Sequence, residues 1–424
     1  MRYGTNSSHR YVAIAAVVAL LLTFVSMTAA AENDDWAAKW DNGFKVTSAD
    51  GKYKLKFGGR IQADWSFASA DAGIEDAVGM VRDGNEFRRA RFFMQGVVYG
   101  RIEFKAQYDF VGGDADFKDM YIGFLGTPVG NVRVGHFKEP FSLEELTSSK
   151  YISFLERSLN SVFSPSRNTG IMLHDRVGNR MTWAAGIFRE SDGFGTTKDG
   201  NGKLNVTARV TGLPVYEENG ARLLHLGLSV SDKDLGDDSF RWRQRPEAHL
   251  SPRFVDTGTF MADGATIYSA EVAGVFDRFW FSAEHIRADQ SNAVATAGTN
   301  CSGPCQRGDR LGDPSFGGLY LQTGVFLTDD HRRYKTATGT FSRMKPSRNW
   351  GAGGLGAWEL VLRYSTLDLT DEGIAGGEME NFGIGLNWYV NPVTRVMCNF
   401  INSDRTDIPD GGARFLSLRV QVDF

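Results

Sequence analysis

Beyond Val25 the chain has no run approaching ~20 consecutive apolar residues, the length an apolar helix needs to cross a bilayer. That excludes a helical membrane protein. A membrane protein without such a run has to be a barrel, because only helices and closed barrels satisfy every backbone group in lipid. Catalytic signatures are missing as well: there is no G-x-S-x-G, no H-E-x-x-H and no phosphate-binding loop ending in G-K-S/T. The seven His are scattered, and alternation sends the adjacent His174 and Asp175 to opposite faces of a strand. No catalytic residue and no cofactor is expected, and an enzyme is not the reading. Basic charge is not in excess, with 47 Lys and Arg against 51 Asp and Glu, so nucleic acid is not an expected partner. Proline is low at 11 and cysteine is rarer still at 3. Cys301 and Cys305 sit in C-S-G-P-C within a polar, Gly-rich stretch, where an oxidising compartment would allow a small disulfide that pins a loop. Two thiols with no nearby His make a metal site the weaker alternative. Cys398 is alone on an apolar strand parity.

What is present is period-two alternation. Arg414 to Phe424 places Leu416, Leu418, Val420, Val422 and Phe424 on one parity and mostly polar residues on the other. Tyr53 to Phe67, Ile102 to Phe110, Trp358 to Tyr364 and Asn381 to Val390 repeat the pattern. Sixteen such segments can be placed, near 53–67, 86–98, 101–111, 117–126, 130–137, 169–176, 180–189, 203–213, 221–231, 265–275, 279–288, 316–327, 356–369, 379–390, 393–403 and 413–424. An all-β fold, a sixteen-stranded antiparallel transmembrane β-barrel, is expected; a single-chain bacterial barrel has an even strand number and both termini on the periplasmic side. Short connections at Tyr99-Gly100, Gly126 to Val129, Val177 to Asn179 and Asn391-Pro392 alternate with long ones at 68–85, 138–168, 232–264, 289–315 and 328–355. The long ones should be extracellular or folded into the lumen. Trp65, Phe67, Tyr99, Tyr108, Phe110, Trp183, Trp280, Trp388 and Tyr389 cluster at strand ends, as interfacial girdles do. The chain divides into a secretory signal peptide (1–31), a short periplasmic leader (32–50) and a barrel domain (51–424). The signal is read from Arg2 and Arg10, an uncharged apolar core over Tyr11 to Val25, and a small-residue cleavage site at Ala29-Ala30-Ala31.

Parity also sorts charge. On the lumen side fall Lys54, Lys56, Arg60, Arg89, Arg91, Lys105, Arg133, Arg209, Arg363, Arg395 and Arg419. Their acidic counterparts are Asp64, Glu103, Asp109, Asp119, Glu271, Glu284, Glu359 and Asp423. The lumen is thus more basic than the chain, and low-dielectric walls focus such a field toward anions. The plainer reading is that these charges pair with one another. After Arg133 the connection from Lys138 to Asn168 is too long for an ordinary loop and is laced with Phe141, Leu143, Leu146, Tyr151, Ile152, Phe154 and Leu155. It is expected to fold inward and narrow the lumen, bringing Lys138, Lys150, Arg157 and Arg167 to the constriction. Arg241, Arg243 and Arg245 share one parity in another long loop and could form an external funnel, or a solvated charged loop.

Several stretches resemble the phosphate-selective porin O and P family of Gram-negative bacteria. They are F-R-R-A-R-F-F-M-Q-G (Phe87 to Gly96), F-K-A-Q-Y-D-F (Phe104 to Phe110) and V-G-H-F-K-E-P-F-S (Val134 to Ser142), with W-E-L-V-L-R-Y-S (Trp358 to Ser365) and N-W-Y-V-N-P (Asn387 to Pro392). They occur in family order over nearly the whole of the chain after the signal. The resemblance implies an outer-membrane homotrimer with three pores, embedded in lipid and lipopolysaccharide and inserted by the outer-membrane assembly machinery. In that family a terminal aromatic such as Phe424 is part of the assembly signal. It further implies passive passage of inorganic anions, phosphate first, past Arg60, Arg89, Arg91, Arg133, Lys138 and Arg209. The dense arginine ladder of the best-studied members is absent here. A general or differently selective porin for small hydrophilic solutes is the alternative on the same barrel.

Overall fold

The computed structural model describes residues 36–197, 203–235, 239–351 and 353–424. The signal peptide and the start of the leader lie outside the described residues. Sixteen long strands run in chain order, each antiparallel to the next. They are β1 (Lys54–Ala70), β2 (Gly84–Val98), β3 (Ile102–Asp109), β4 (Asp116–Thr127), β5 (Gly130–Lys138), β6 (Arg167–Val177), β7 (Met181–Arg189) and β8 (Asn205–Glu217). Then follow β9 (Arg222–Asp234), β10 (Gly264–Phe276), β11 (Phe279–Ser291), β12 (Ser315–Phe326), β13 (Ala357–Asp371), β14 (Ile374–Asn391), β15 (Thr394–Arg405) and β16 (Gly412–Asp423). β16 pairs back onto β1, Asp423 opposite Arg60 and Ala413 opposite Ala70, and the sheet closes. Closure leaves no lipid-exposed strand edge along the wall, which is what a bilayer demands.

The alternation is inside-out relative to a soluble sheet. On β1, Ile61, Trp65 and Phe67 are exposed on the outer wall while Gln62 and Asp64 are buried in the lumen. The terminal residue completes the seam. The Gly59 N–H donates to the Phe424 carbonyl at 2.6 Å and the Phe424 N–H donates back to Gly59 at 3.2 Å. A Cβ on Gly59 would stand 2.5 Å from the Arg91 carbonyl oxygen of β2 and 2.8 Å from the Phe424 ring, so glycine lets both the neighbouring strand and the closing aromatic approach. Just below this seam, Ala37–Trp40 and Phe44–Thr47 form a hairpin, and its second strand pairs with the first residues of β1. At the same end Trp358 and Trp388 stack with centroids 5.3 Å apart, Trp350 packs edge-on, and both ladder indoles donate to the Leu355 carbonyl. An apolar ring body with its N–H satisfied suits a membrane–water boundary.

Three sequence expectations change. Trp280 and Tyr389 are not girdle residues: both are buried in the lumen and donate to Glu359, at 2.9 and 2.8 Å. The alternation of short and long connections breaks at β13–β14, where both strands run on to a turn at 372–373, and at 327–356, a long connection at the end that carries the termini. The inner face is not uniformly polar either. Ala265, Ile267, Ile286, Ala288, Phe316, Leu367 and Phe415, on β10 to β16, pack with Phe141, Leu143, Phe154, Leu159, Phe163 and Trp242 from the loops in one apolar cluster. Half of the lumen is therefore filled with protein, and wall residues facing packed protein need no polarity.

Candidate functional site

The open part of the lumen is a cavity of about 860 Å³ against the other half of the wall, β1 to β8. Its lining runs from Asp175, Thr182 and Trp183, beside the β6–β7 turn, to Ser191 and Asp192 at the opposite end. Twelve Lys and Arg line it against five Asp and Glu, and three further carboxylates just behind the lining, Asp109, Glu156 and Glu271, pair with Arg91, Arg88 and Arg209. Arg60, Arg89, Arg91, Lys105, Arg133, Lys138, Arg157, Arg167 and Arg209, all read from sequence, are among the twelve.

The carboxylates are shared, which leaves the surplus positive. Asp119 lies between Lys105 and Arg167, 2.8 Å from the latter. Glu145 lies between Lys138 at 2.8 Å and Arg157 at 3.0 Å. Burial pushes the Glu145 carboxyl up, but Arg157 and Lys138 outweigh it and hold it below the usual range. Arg133 pairs with Glu103 at 2.9 Å and Arg91 with Asp109 at 2.7 Å. Arg60 donates to Ser149 Oγ at 2.6 Å and has no carboxylate within ion-pair distance among the described residues. The Phe93 ring carries three ammoniums near it, from Lys56 (6.0 Å), Lys105 (5.8 Å) and Lys150 (5.9 Å).

Loop 139–166 folds into the barrel, and its stem is fixed by Glu139. That carboxylate is buried, accepting from Asn168 at 2.7 Å and from Thr207 on β8, two strands further along the wall. Further along, its carbonyls are captured in succession by the wall. Gln62 donates to Ser149 O, Gln421 to Lys150 O, Arg395 to Ile152 O, Asn387 to Ser153 O, Arg419 to Leu155 O and Arg363 to Glu156 O. Arg363 thus lies away from the cavity. It is buried, bonded to Glu144 at 2.8 Å and Glu247 at 3.0 Å, because the loop covers its stretch of wall. Lys150 does not reach the cavity lining; it pairs with Asp423 at 3.4 Å. Burial pushes its ammonium down to about 7, with Arg60 and Arg343 adding repulsion and Asp423 opposing. Arg241, Arg243 and Arg245 also lie outside the cavity. Arg241 and Arg243 are exposed, with Arg241 on Asp256 at 2.5 Å, while Arg245 donates to Ser251 O. Cys301 and Cys305 are joined in a disulfide. The bridged segment abuts the β13–β14 turn through a bridge from Cys301 to Ile374.

Sequence parity missed Arg88, Lys118 and Lys335. A bulge opposite Gln62 and Ala63 turns both Arg88 and Arg89 inward, and another opposite Gln107 does the same for Lys118 beside Asp119. Arg88 grips Glu156 with two bonds, at 2.8 and 2.9 Å. Burial raises the Glu156 carboxyl, but Arg88, Arg89 and Arg419 together hold it well below the usual range. Lys335 reaches the cavity on connection 327–356; the basic run H-R-R-Y-K was the signal available for it.

The sequence matches the family described as phosphate-selective porin O and P over residues 55–424. An uncharacterised protein of Caulobacter vibrioides is 31% identical over 361 residues, covering 82% of this chain and 68% of its own. Porin O of Pseudomonas aeruginosa is 24% identical over 440 residues, covering 94% of this chain and 93% of its own. Among solved structures, an anion-selective porin from Comamonas acidovorans superposes with a TM-score of 0.52 at 13% identity, covering 88% of this chain and all of that one; likeness at that identity speaks for the fold alone. With the profile matched from the first barrel strand to the last residue, the chain belongs to the phosphate-selective porin O and P family, and is an outer-membrane channel of Gram-negative bacteria rather than an enzyme.

Proposed function

We propose that the channel passes anions, phosphate and related oxyanions foremost, by passive diffusion along the basic half of the lumen. The observation that carries this reading is the excess of bases at the cavity of a chain that is net acidic overall: twelve line it, against five lining acids and the three carboxylates paired behind Arg88, Arg91 and Arg209. Guanidinium and ammonium groups replace part of an anion's hydration shell through charge-assisted hydrogen bonds, and a row of them lets the ion step from one to the next. Arg60, Arg89, Arg91, Lys105, Arg133, Lys138 and Arg209 are the proposed wall contacts, with Arg157 and Arg167 from the inward loop and its C-terminal stem, joined by Arg88, Lys118 and Lys335. Lys150 stands beside this path rather than on it. A homotrimer, with lipid and lipopolysaccharide around it, is the assembly proposed.

The test is reversal potential in a planar bilayer under a KCl gradient, with phosphate added. Anion-selective current blocked by phosphate is expected, with the block weakened in Arg133→Ala and Lys138→Ala. Unselective or cation-selective current without block would leave the general-porin reading in its place.

A further inference from the structure

One carbonyl in the captured row is served from elsewhere. Tyr151 O accepts from Arg332 Nη2 at 3.1 Å, and Arg332 belongs to connection 327–356 rather than to the barrel wall. Its other terminal nitrogen bonds Ser153 Oγ and lies 3.4 Å from Glu359. The guanidinium sits 4.0 Å from the Trp280 ring and 4.2 Å from the Phe341 ring, in a buried site. Arg343, on the same connection, pairs with Asp423, which is also the counter-ion of Lys150. Its guanidinium faces the Tyr151 ring at 5.4 Å. Across the lumen the connection is anchored to β8, where Arg209 donates to Gly339 O at 2.8 Å.

We infer that Arg332 and Arg343 form a clasp through which the periplasmic connection positions the Lys150–Ser153 stretch of the inward loop. Both are then positioning residues, acting on solute through that stretch. The geometry favours coupling over mere packing. Arg332 holds Tyr151 O, a carbonyl that no side chain of the wall takes, and Arg343 bonds the same Asp423 oxygen that Lys150 faces. The charged and titratable groups facing Lys150 are Asp423 and Arg60 from the wall, Arg343 from the connection and Tyr151 from its own loop, with Lys56 and Lys105 around the shared Phe93 ring. Removing Arg343 gives Asp423 wholly to Lys150 and removes a repelling charge, so the titration of Lys150 moves to higher pH. The inference rests on the anion reading only where selectivity is the readout.

The experiment compares wild type, Arg332→Ala, Arg332→Lys and Arg343→Ala as full-length protein in planar bilayers, across about pH 6 to about pH 9, a window that brackets a lysine titrating near neutrality. Arg332→Ala should raise unit conductance several-fold and add flicker. Arg332→Lys, able to serve one acceptor but not to stack flat, should fall between. Arg343→Ala should shift the pH profile of selectivity upward. If Arg332→Ala does not fold, the other two variants carry the test. Folded variants with wild-type conductance, flicker and pH profile would overturn the clasp. A wild type that is cation-selective throughout would instead overturn the anion reading, while the conductance difference would still report the clasp.

Discussion

Two arginines that strand parity places alike do different work. Arg60, though little exposed, borders the cavity with a hydroxyl partner, whereas Arg363 is buried away from it between two carboxylates. Arg60→Gln should therefore lower anion selectivity while leaving thermal stability near wild type, because no buried charge is orphaned. Arg363→Ala strands Glu144 and Glu247 and should cost roughly 3–5 kcal/mol, read as a lower unfolding temperature in detergent. Lys150 adds a pH dependence. With its ammonium pushed down to about 7, it is charged below that pH and neutral above. If its charge adds to the field along the path, anion selectivity should fall as pH rises through neutrality, and Lys150→Arg should flatten the profile, since a guanidinium keeps its charge. An unchanged profile in that variant would assign the titration elsewhere.

Among the elements, the inward loop is the one whose course decides the pore. Its helical turn Leu143–Leu146 is too short to hold itself, and its position comes from side-chain donors on five wall strands and on connection 327–356, and from the buried Glu139 at its stem. Glu139→Ala leaves Asn168 and Thr207 without their acceptor and frees the stem from β8. The expected result is a folded barrel with larger, noisier unit currents and unchanged strand content by circular dichroism. Wild-type currents would show that the carbonyl ties alone suffice. The two bulges act at the same scale, since one extra residue in β2 and one in β4 bring Arg88 and Lys118 to the lumen without altering the outer wall.

For the whole molecule, the decisive event is closure, because an open sixteen-stranded sheet would expose unpaired backbone to lipid. The seam depends on Phe424 meeting a glycine. Gly59→Val should impair folding by about 1–3 kcal/mol through overpacking, although the terminal aromatic itself is intact. The measurement is the fraction of protein that migrates as folded barrel in unheated electrophoresis. Normal yield in that variant would mean that the Phe424 ring and the Arg91 backbone of β2 can both give way. The charge field is also a property of the whole, and its effect on selectivity should weaken as salt approaches molar concentrations and screening shortens to about 3 Å.

The sequence by itself determined the sixteen strands, the outward apolar parity, the closing aromatic and the identity of most cavity bases, because each follows from a period of two or from a short local pattern. The Arg88 and Lys118 bulges, the inward Trp280 and the fate of Arg363 were decided only in three dimensions. Whether a wall residue faces water or packed protein depends on where residues 139–166 and 327–356 settle, and those loops are held by partners up to hundreds of residues away along the chain. No local pattern encodes such a contact. The filling of one half of the lumen, and with it the confinement of the open cavity to the basic half, is a consequence of tertiary packing.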